Sequence, residues 1–202
     1  MYSKPKAINT TLRIIGGRLR GRQLVVPVRP GLRPTHDRIR ETLFNWLKPM
    51  ILDSFCLDAF AGSGALGFEA LSRGAQHVVF VENDRDQAKG IEKNAKLLEL
   101  NNHQVIQSTW PGVRLLAGRF DLVFLDPPFH SGLIDVVWNE LIHEDQLSPH
   151  CWIYIEHGVN EQPVIPNHFI CHRQKRTKQV VCGLYTRSLC DGATLIRTRR
   201  VN

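Results

Sequence analysis

The chain has 202 residues, 43% of them hydrophobic and 22% charged, with a formal net charge of +7; that suffices for one domain with a sizeable core plus an extension. No apolar run approaches the ~20 residues of a membrane span, and the first residues lack the apolar core of a signal peptide, so a cytoplasmic protein is expected. The five cysteines, at 56, 151, 171, 182 and 190, are odd in number and form no Cys-x-x-Cys pair, which argues against a disulfide framework.

Charge is distributed unevenly along the chain. Residues 1–40 carry ten Lys or Arg against one acid, residues 41–150 eight against fifteen, and residues 151–202 eight against three. Basic ends suit the phosphates of a nucleic acid, and an acidic middle suits a cationic small molecule. At the N-terminus, residues 12–16 and 23–26 read as a strand pair around Arg18, Arg20 and Arg22. On a strand, alternation would put those three guanidiniums on one face. Pro27, Pro30, Gly31 and Pro34 then form a stiff link. Thr35 can cap a helix running to about Leu47, with Ile39, Leu43, Phe44 and Leu47 inward and Arg38 and Arg40 projecting from the first turns. Surface pairing of those arginines with Asp37 and Glu41 would contribute only ~0.3–0.5 kcal/mol per pair.

The apolar residues 55–57 lead into Asp58-Ala-Phe60-Ala-Gly62-Ser-Gly64-Ala-Leu-Gly67. Its glycines allow a tight turn and close approach of a ligand at a helix N-terminus, and Glu82, followed by Asn83, ends the next strand, residues 78–81. A glycine pattern followed by a strand-end acid matches a dinucleotide fingerprint, but a pyrophosphate gains nothing from Asp58. S-adenosylmethionine, with its ammonium and sulfonium, does. Residues 84–100 read as a helix with Ala88, Ile91, Ala95 and Leu98 on one stripe, and 105–107 as a strand after which Ser108 or Thr109 could meet an adenine ring.

Residues 122–125 read as a buried strand ending in Asp126-Pro127-Pro128-Phe129. The Asp126 carboxylate and the Pro127 carbonyl can both accept hydrogen bonds from one exocyclic NH2, while Phe129 offers a face on which a base can stack. Asp58, Glu82 and Asp126 would thus face one crevice at the carboxyl ends of an α/β sheet. Residues 134–142 read as a helix, 152–155 as a strand ending in Glu156, and the last third as two antiparallel strands. One of these spans 180–185 after a basic loop holding Lys175, Arg176 and Lys178. His168, Cys171 and His172 lie in an alternating, strand-like stretch, so no metal site is expected. A tail from residue 189 carries Arg197, Arg199 and Arg200.

Over roughly residues 12–187 the chain resembles the RsmD-type 16S rRNA guanine-N2 methyltransferases. The residues that carry the resemblance are Ile14-Ile15-Gly16-Gly17-Arg18-x-Arg20-Gly21, Arg33-Pro34-Thr35-x-Asp37-Arg38-x-Arg40-Glu41, the loop from Asp58 to Gly67, and the tetrad from Asp126 to Phe129. The resemblance implies a class I S-adenosylmethionine-dependent methyltransferase, a Rossmann-like, mostly parallel seven-stranded sheet with a small N-terminal β-hairpin extension. It also implies methylation of the guanine at position 966 of bacterial 16S rRNA in the small ribosomal subunit. The cofactor would be held by Asp58, Phe60, Gly62, Gly64, Gly67, Glu82, Asn83, Ser108 and Thr109. Asp126, Pro127, Pro128 and Phe129 would carry catalysis, and the RNA would meet Arg18, Arg20, Arg22, Arg33, Thr35, Arg38, Arg40, Lys175 and Arg176. The expected organisation is a basic extension over 1–34, a catalytic domain over 35–188 and a basic tail over 189–202, in a monomer. A DNA adenine-N6 methyltransferase would share the tetrad but usually needs a larger target-recognition region. A nicotinamide oxidoreductase would need a second catalytic constellation, and a non-catalytic RNA-binding relic would be expected to have lost Asp126 or Gly62.

Overall fold

The computed structural model describes residues 9–27, 37–115 and 118–188; Arg33, Thr35, the rest of the proline-rich link from Pro30 to Pro34, and the tail from 189 lie outside them. A two-stranded antiparallel hairpin, β1 (Asn9–Arg13) and β2 (Gln23–Pro27), precedes α1 (Asp37–Leu47). There follow β3 (Phe55–Asp58), α2 (Ala65–Ser72), β4 (His77–Glu82), α3 (Arg85–Leu97), β5 (His103–Gln107) and β6 (Phe120–Leu125). The chain continues through α4 (Leu133–His143), β7 (Leu147–Gly158), β8 (Phe169–Arg176) and β9 (Val180–Arg187). The last seven strands form one sheet in the order β5-β4-β3-β6-β7-β9-β8, parallel from β5 to β7 and antiparallel around β9.

The central strands are apolar on both faces, as a parallel sheet covered on both sides requires. Along β4, Val78 and Phe80 join the core that contains Phe44, Phe68 and Phe124, whereas Val79 and Val81 join the core around Trp110 and Trp138. This period of two divides the burial between two layers. Helix α2 is buried along its whole length, and Gly67 explains how it fits: a Cβ there would stand 2.1 Å from the Phe80 ring. Helix α3 starts at Asp84, whose side chain accepts from the N–H of Asp86 at 2.9 Å and of Gln87 at 3.0 Å, and it turns Ala88, Ile91 and Ala95 inward. Leu98 is also buried, just past its end.

The hairpin departs from the sequence expectation. Its strands are 9–13 and 23–27, and residues 14–22 form a turn-rich loop, so Arg18, Arg20 and Arg22 do not alternate along a strand. The reason lies in helix α2. Glu69, 1% exposed, accepts the backbone N–H of Ile15 at 2.8 Å and of Gly16 at 2.7 Å. Ser72 Oγ accepts from Leu19 N–H at 2.9 Å, and the Ser72 carbonyl accepts from Arg18 N–H at 2.7 Å. Gly17 adopts φ +75°, with the Ser72 carbonyl 1.9 Å from where a Cβ would be, so only glycine fits. Leu19, Leu24 and Val26 are buried in the main core, and Asn94 of α3 both accepts from and donates to the backbone of Val25. Arg22 donates to the Leu97 carbonyl at the end of α3.

Arg40 also differs from expectation. It does not project from α1 but is wholly buried, donating to the Arg13 carbonyl at 2.7 Å and to Asp37 at 2.9 Å, with its Nε 4.0 Å from Glu69. Burial, the largest influence, lowers its pKa against the opposing pull of Asp37 and Glu69. Lys175 and Arg176 lie on strand β8, with Lys178 in the turn after it. Among the described residues, no helix is long and apolar enough to cross a membrane, and no cluster of three or more His, Cys, Asp or Glu could hold a metal ion.

Removal of Glu69 would strand two backbone donors and leave Arg40 and Arg73 without their shared carboxylate. Glu69→Ala is therefore expected to lower stability by about 3–5 kcal/mol, read as the shift in urea unfolding.

Candidate active site

The chain runs outward in one direction from β3 to β4 and β5, then returns to lay β6 and β7 on the other side of β3. A crevice opens at such a reversal, beyond the carboxyl ends of the strands. Here it is a cavity of about 1440 Å3, bordered by Asp58 of β3, Glu82 of β4, Asp126 after β6 and Glu156 of β7. Ligand sites commonly measure ~300–1,000 Å3, so this one has room for more than one small molecule.

The glycine loop is held by the acids around it. Glu82 Oε2 accepts Gly62 N–H at 2.6 Å and its Oε1 accepts Asp84 N–H at 2.7 Å. Asp58 Oδ2 accepts Gly67 N–H at 3.0 Å. Gly62 and Gly64 both take positive φ, 51° and 76°, which lets the loop turn sharply into α2. Across the loop, Trp110 Nε1 donates to the Ala59 carbonyl at 2.8 Å, and Ser108 N–H to the Glu82 carbonyl at 3.1 Å. Burial pushes the Asp58 carboxyl up to about 7, with Gly67 N–H opposing and the Glu82 charge adding to the rise. Two acids this close make the cavity favourable to a cation.

On the other flank, Pro127 is buried and Asp126 and Phe129 are half-buried, all bordering the cavity with Pro128. His130, in a left-handed conformation at φ 61°, ends the tetrad's loop, and its N–H donates to Glu161 at 2.7 Å. Glu161 also accepts from Gly158 N–H at 2.5 Å, tying this loop to the end of β7. Lys175, at the cavity border near the end of β8, donates to Thr42 of α1 at 3.0 Å, so the end of β8 and α1 meet beside the cavity.

Among the residues expected from sequence, Asp58, Phe60, Gly62, Glu82, Asn83, Ser108, Thr109 and the four of the tetrad border the cavity, as do Arg38 and Lys175. Gly64 and Gly67 are not among its lining residues: Gly64 sets the turn into α2 and Gly67 permits close packing on Phe80. Arg18, Arg20, Arg22, Arg40 and Arg176 are likewise absent from the described lining. Asp37, Trp110, Lys178 and Gln179 belong to the lining without having been expected there, as does Glu156. For Glu156 the signal was present, since it ends the strand after the tetrad; for Gln179 and Trp110 it was not.

A mostly parallel seven-stranded sheet with its acids at this crevice defines the class: the chain has the class I methyltransferase fold. A ribosomal protein L11 methylase from Lactobacillus delbrueckii, only 18% identical, shares it with a TM-score of 0.63 over 76% of this chain and 80% of that one. The family model described as "Conserved hypothetical protein 95" matches residues 12–186, and the chain belongs to that family, the RsmD type. It is 47% identical over 178 residues to ribosomal RNA small subunit methyltransferase D of Escherichia coli K12, covering 87% of this chain and 90% of that protein. The solved structure of Escherichia coli yhhF superposes with a TM-score of 0.78 at 44% identity, covering 88% of this chain and 98% of that one.

The raised proton affinity of Asp58 has a sign for stability. Between pH ~4 and ~7 the folded state holds a proton that the unfolded state has released, so stability falls as pH rises through that window. Full ionisation costs roughly 4 kcal/mol. Asp58→Asn should therefore gain stability relative to the wild type as pH goes from 4 to 8, by an amount approaching that cost in paired urea titrations.

Proposed function

We propose that this protein is an S-adenosylmethionine-dependent methyltransferase that modifies the exocyclic N2 of one guanine, position 966, in the 16S rRNA of the small ribosomal subunit. The observation that carries the reading is the tetrad Asp126-Pro127-Pro128-Phe129 at the end of β6, in one cavity with Asp58 and Glu82. The kinship with ribosomal RNA small subunit methyltransferase D supports the choice of rRNA. We also retain the division into a basic extension over 1–34, a catalytic domain over 35–188 and a tail over 189–202, in a monomer, with the hairpin docked on the domain.

The donor set fits the cofactor. Asp58 and Glu82 give the β3–β4 side of the cavity the negative character that an ammonium and a sulfonium need, and Glu82 and Asn83 stand where a ribose diol can be bound. Phe60, Ser108 and Thr109 complete that side, and Gly62 allows close backbone approach. S-adenosylmethionine, when bound there, supplies an electrophilic methyl group.

The chain's own task is to present the acceptor. An exocyclic amine is a weak nucleophile, because its lone pair is delocalised into the ring. The Asp126 carboxylate and the Pro127 carbonyl accept its two N–H groups and direct the nitrogen, and the fixed φ of the two prolines sets their direction. Phe129 stacks on the base, which must be unpaired or flipped out. Positive charge that develops on the nitrogen is stabilised by Asp126. Arg38 and Lys175 at the cavity border, and the exposed Arg18, Arg20, Arg22 and Arg176, serve the RNA backbone.

Small ribosomal subunits from cells lacking this activity, incubated with the protein and labelled S-adenosylmethionine, should yield N2-methylguanosine at one site by mass spectrometry. N6-methyladenine on DNA with no label on rRNA would overturn the substrate. Asp126→Ala should abolish turnover, a loss on the order of a thousandfold or more, yet leave cofactor affinity in calorimetry nearly intact. An equal loss of cofactor affinity would remove Asp126 from its role.

A further inference from the structure

Glu156 has no part in the transfer described above, yet it is a buried carboxylate on the border of the same cavity. Leu125 pairs with Ile155 in parallel register, so Asp126 and Glu156 come next on two neighbouring strands, whose spacing is about 4.8 Å. Glu161 reinforces the proximity by joining the loop after the tetrad to the end of β7. The sheet order decides what Glu156 faces. The glycine loop after β3, Glu82 at the end of β4 and Ser108 after β5 lie on one side of Asp126, and Glu156 lies on the other, on β7. With the cofactor on the β3–β5 side, as proposed above, the β7 side is left for the acceptor base.

Its aim is fixed from within the sheet. Tyr154 Oη donates to Glu156 Oε2 at 2.7 Å, and both residues are buried. Burial first, and the Glu156 charge second, raise the Tyr154 pKa well above its ordinary value, so the phenol stays a donor. An ionised carboxylate accepts at about four lone-pair sites, so the bond from Tyr154 can orient Glu156 without exhausting it.

Guanine places a ring N1–H donor directly beside its N2 amine, whereas a purine such as 2,6-diaminopurine has the same amine beside an N1 that carries only a lone pair. With the amine held by Asp126 and Pro127, N1 and N3 flank the carbon that carries it, and a base seated with its N1 edge toward β7 brings N1–H to Glu156. We propose that Glu156 accepts the N1–H of the target guanine and thereby selects guanine over purines with an unprotonated N1. This rests on the guanine-N2 reading above. Against such a purine the carboxylate would meet a lone pair, and both groups would be left desolvated without a bond. Sites built around a hydrogen bond reject substrates that lack it far more strongly than apolar pockets reject a misfit.

The test places guanine or 2,6-diaminopurine at the target position of ligated 16S rRNA, assembles small subunits, and measures methyl transfer by each enzyme. The wild type should prefer guanine. Glu156→Gln, whose amide can donate to N1, should lower kcat/KM on guanine by on the order of 10–100-fold and narrow the guanine preference by about tenfold or more. Tyr154→Phe keeps the ring and removes the orienting hydroxyl. It should narrow the same preference by a smaller factor, with S-adenosylmethionine affinity in calorimetry unchanged, which a merely structural loss would not do. If the wild type forms N2-methylguanosine and neither variant shifts the preference, the role of Glu156 is overturned alone. If the wild type forms none, the guanine-N2 reading falls, and this inference with it.

Discussion

Leu57 pairs with Val123 and Leu125 with Ile155, so the parallel register brings the end of β3, the residues just after β6 and the neighbouring stretch of β7 to one edge of the sheet. Everything chemical about this chain depends on that alignment. Asp58, Asp126 and Glu156 come from positions nearly 100 residues apart in sequence, yet no long side chain or loop is needed to gather them. Val81 paired with Ile106 brings Glu82 and Ser108 to the same edge. Carboxylates concentrated in this way would repel one another in a dry core. On the wall of a cavity they are tolerable, because backbone N–H groups of the glycine loop and of α2 neutralise part of the charge of Glu82 and Asp58.

The sheet and its crevice were legible in the sequence because the central strands are uninterrupted apolar runs, each closed by an acid. The stripe of Ala88, Ile91 and Ala95 likewise has only one helical solution. What escaped was whatever tertiary contact decides. Arginines alternating at 18, 20 and 22 satisfy a strand pattern, but the carboxylate of Glu69 and the hydroxyl of Ser72, more than 50 residues away, bind the same backbone and turn it into a loop. Arg40 carries a charge that any pattern assigns to the surface, and it is buried because a carbonyl of the hairpin and two carboxylates surround it. Periodicity cannot see partners at that separation.

Glycine served two purposes that a motif does not distinguish. Gly62, at φ 51° and with open space where a Cβ would be, borders the cavity and lets a ligand approach the backbone. Gly67 belongs to the same pattern but is a packing residue, demanded by the Phe80 ring. A fingerprint of this kind therefore records both a binding surface and the mechanical condition for presenting it.

The seam between the Gly16-Gly17 turn and the end of α2 also bears on association. Arg18 and Arg20 stand on backbone whose shape is already set by Ser72 and by the turn's own hydrogen bonds. A polyanion that meets them need not order the segment that carries them, only the rotamers of the side chains. The conformational entropy of that arm is surrendered once, when the chain folds, so it is not deducted again at each encounter.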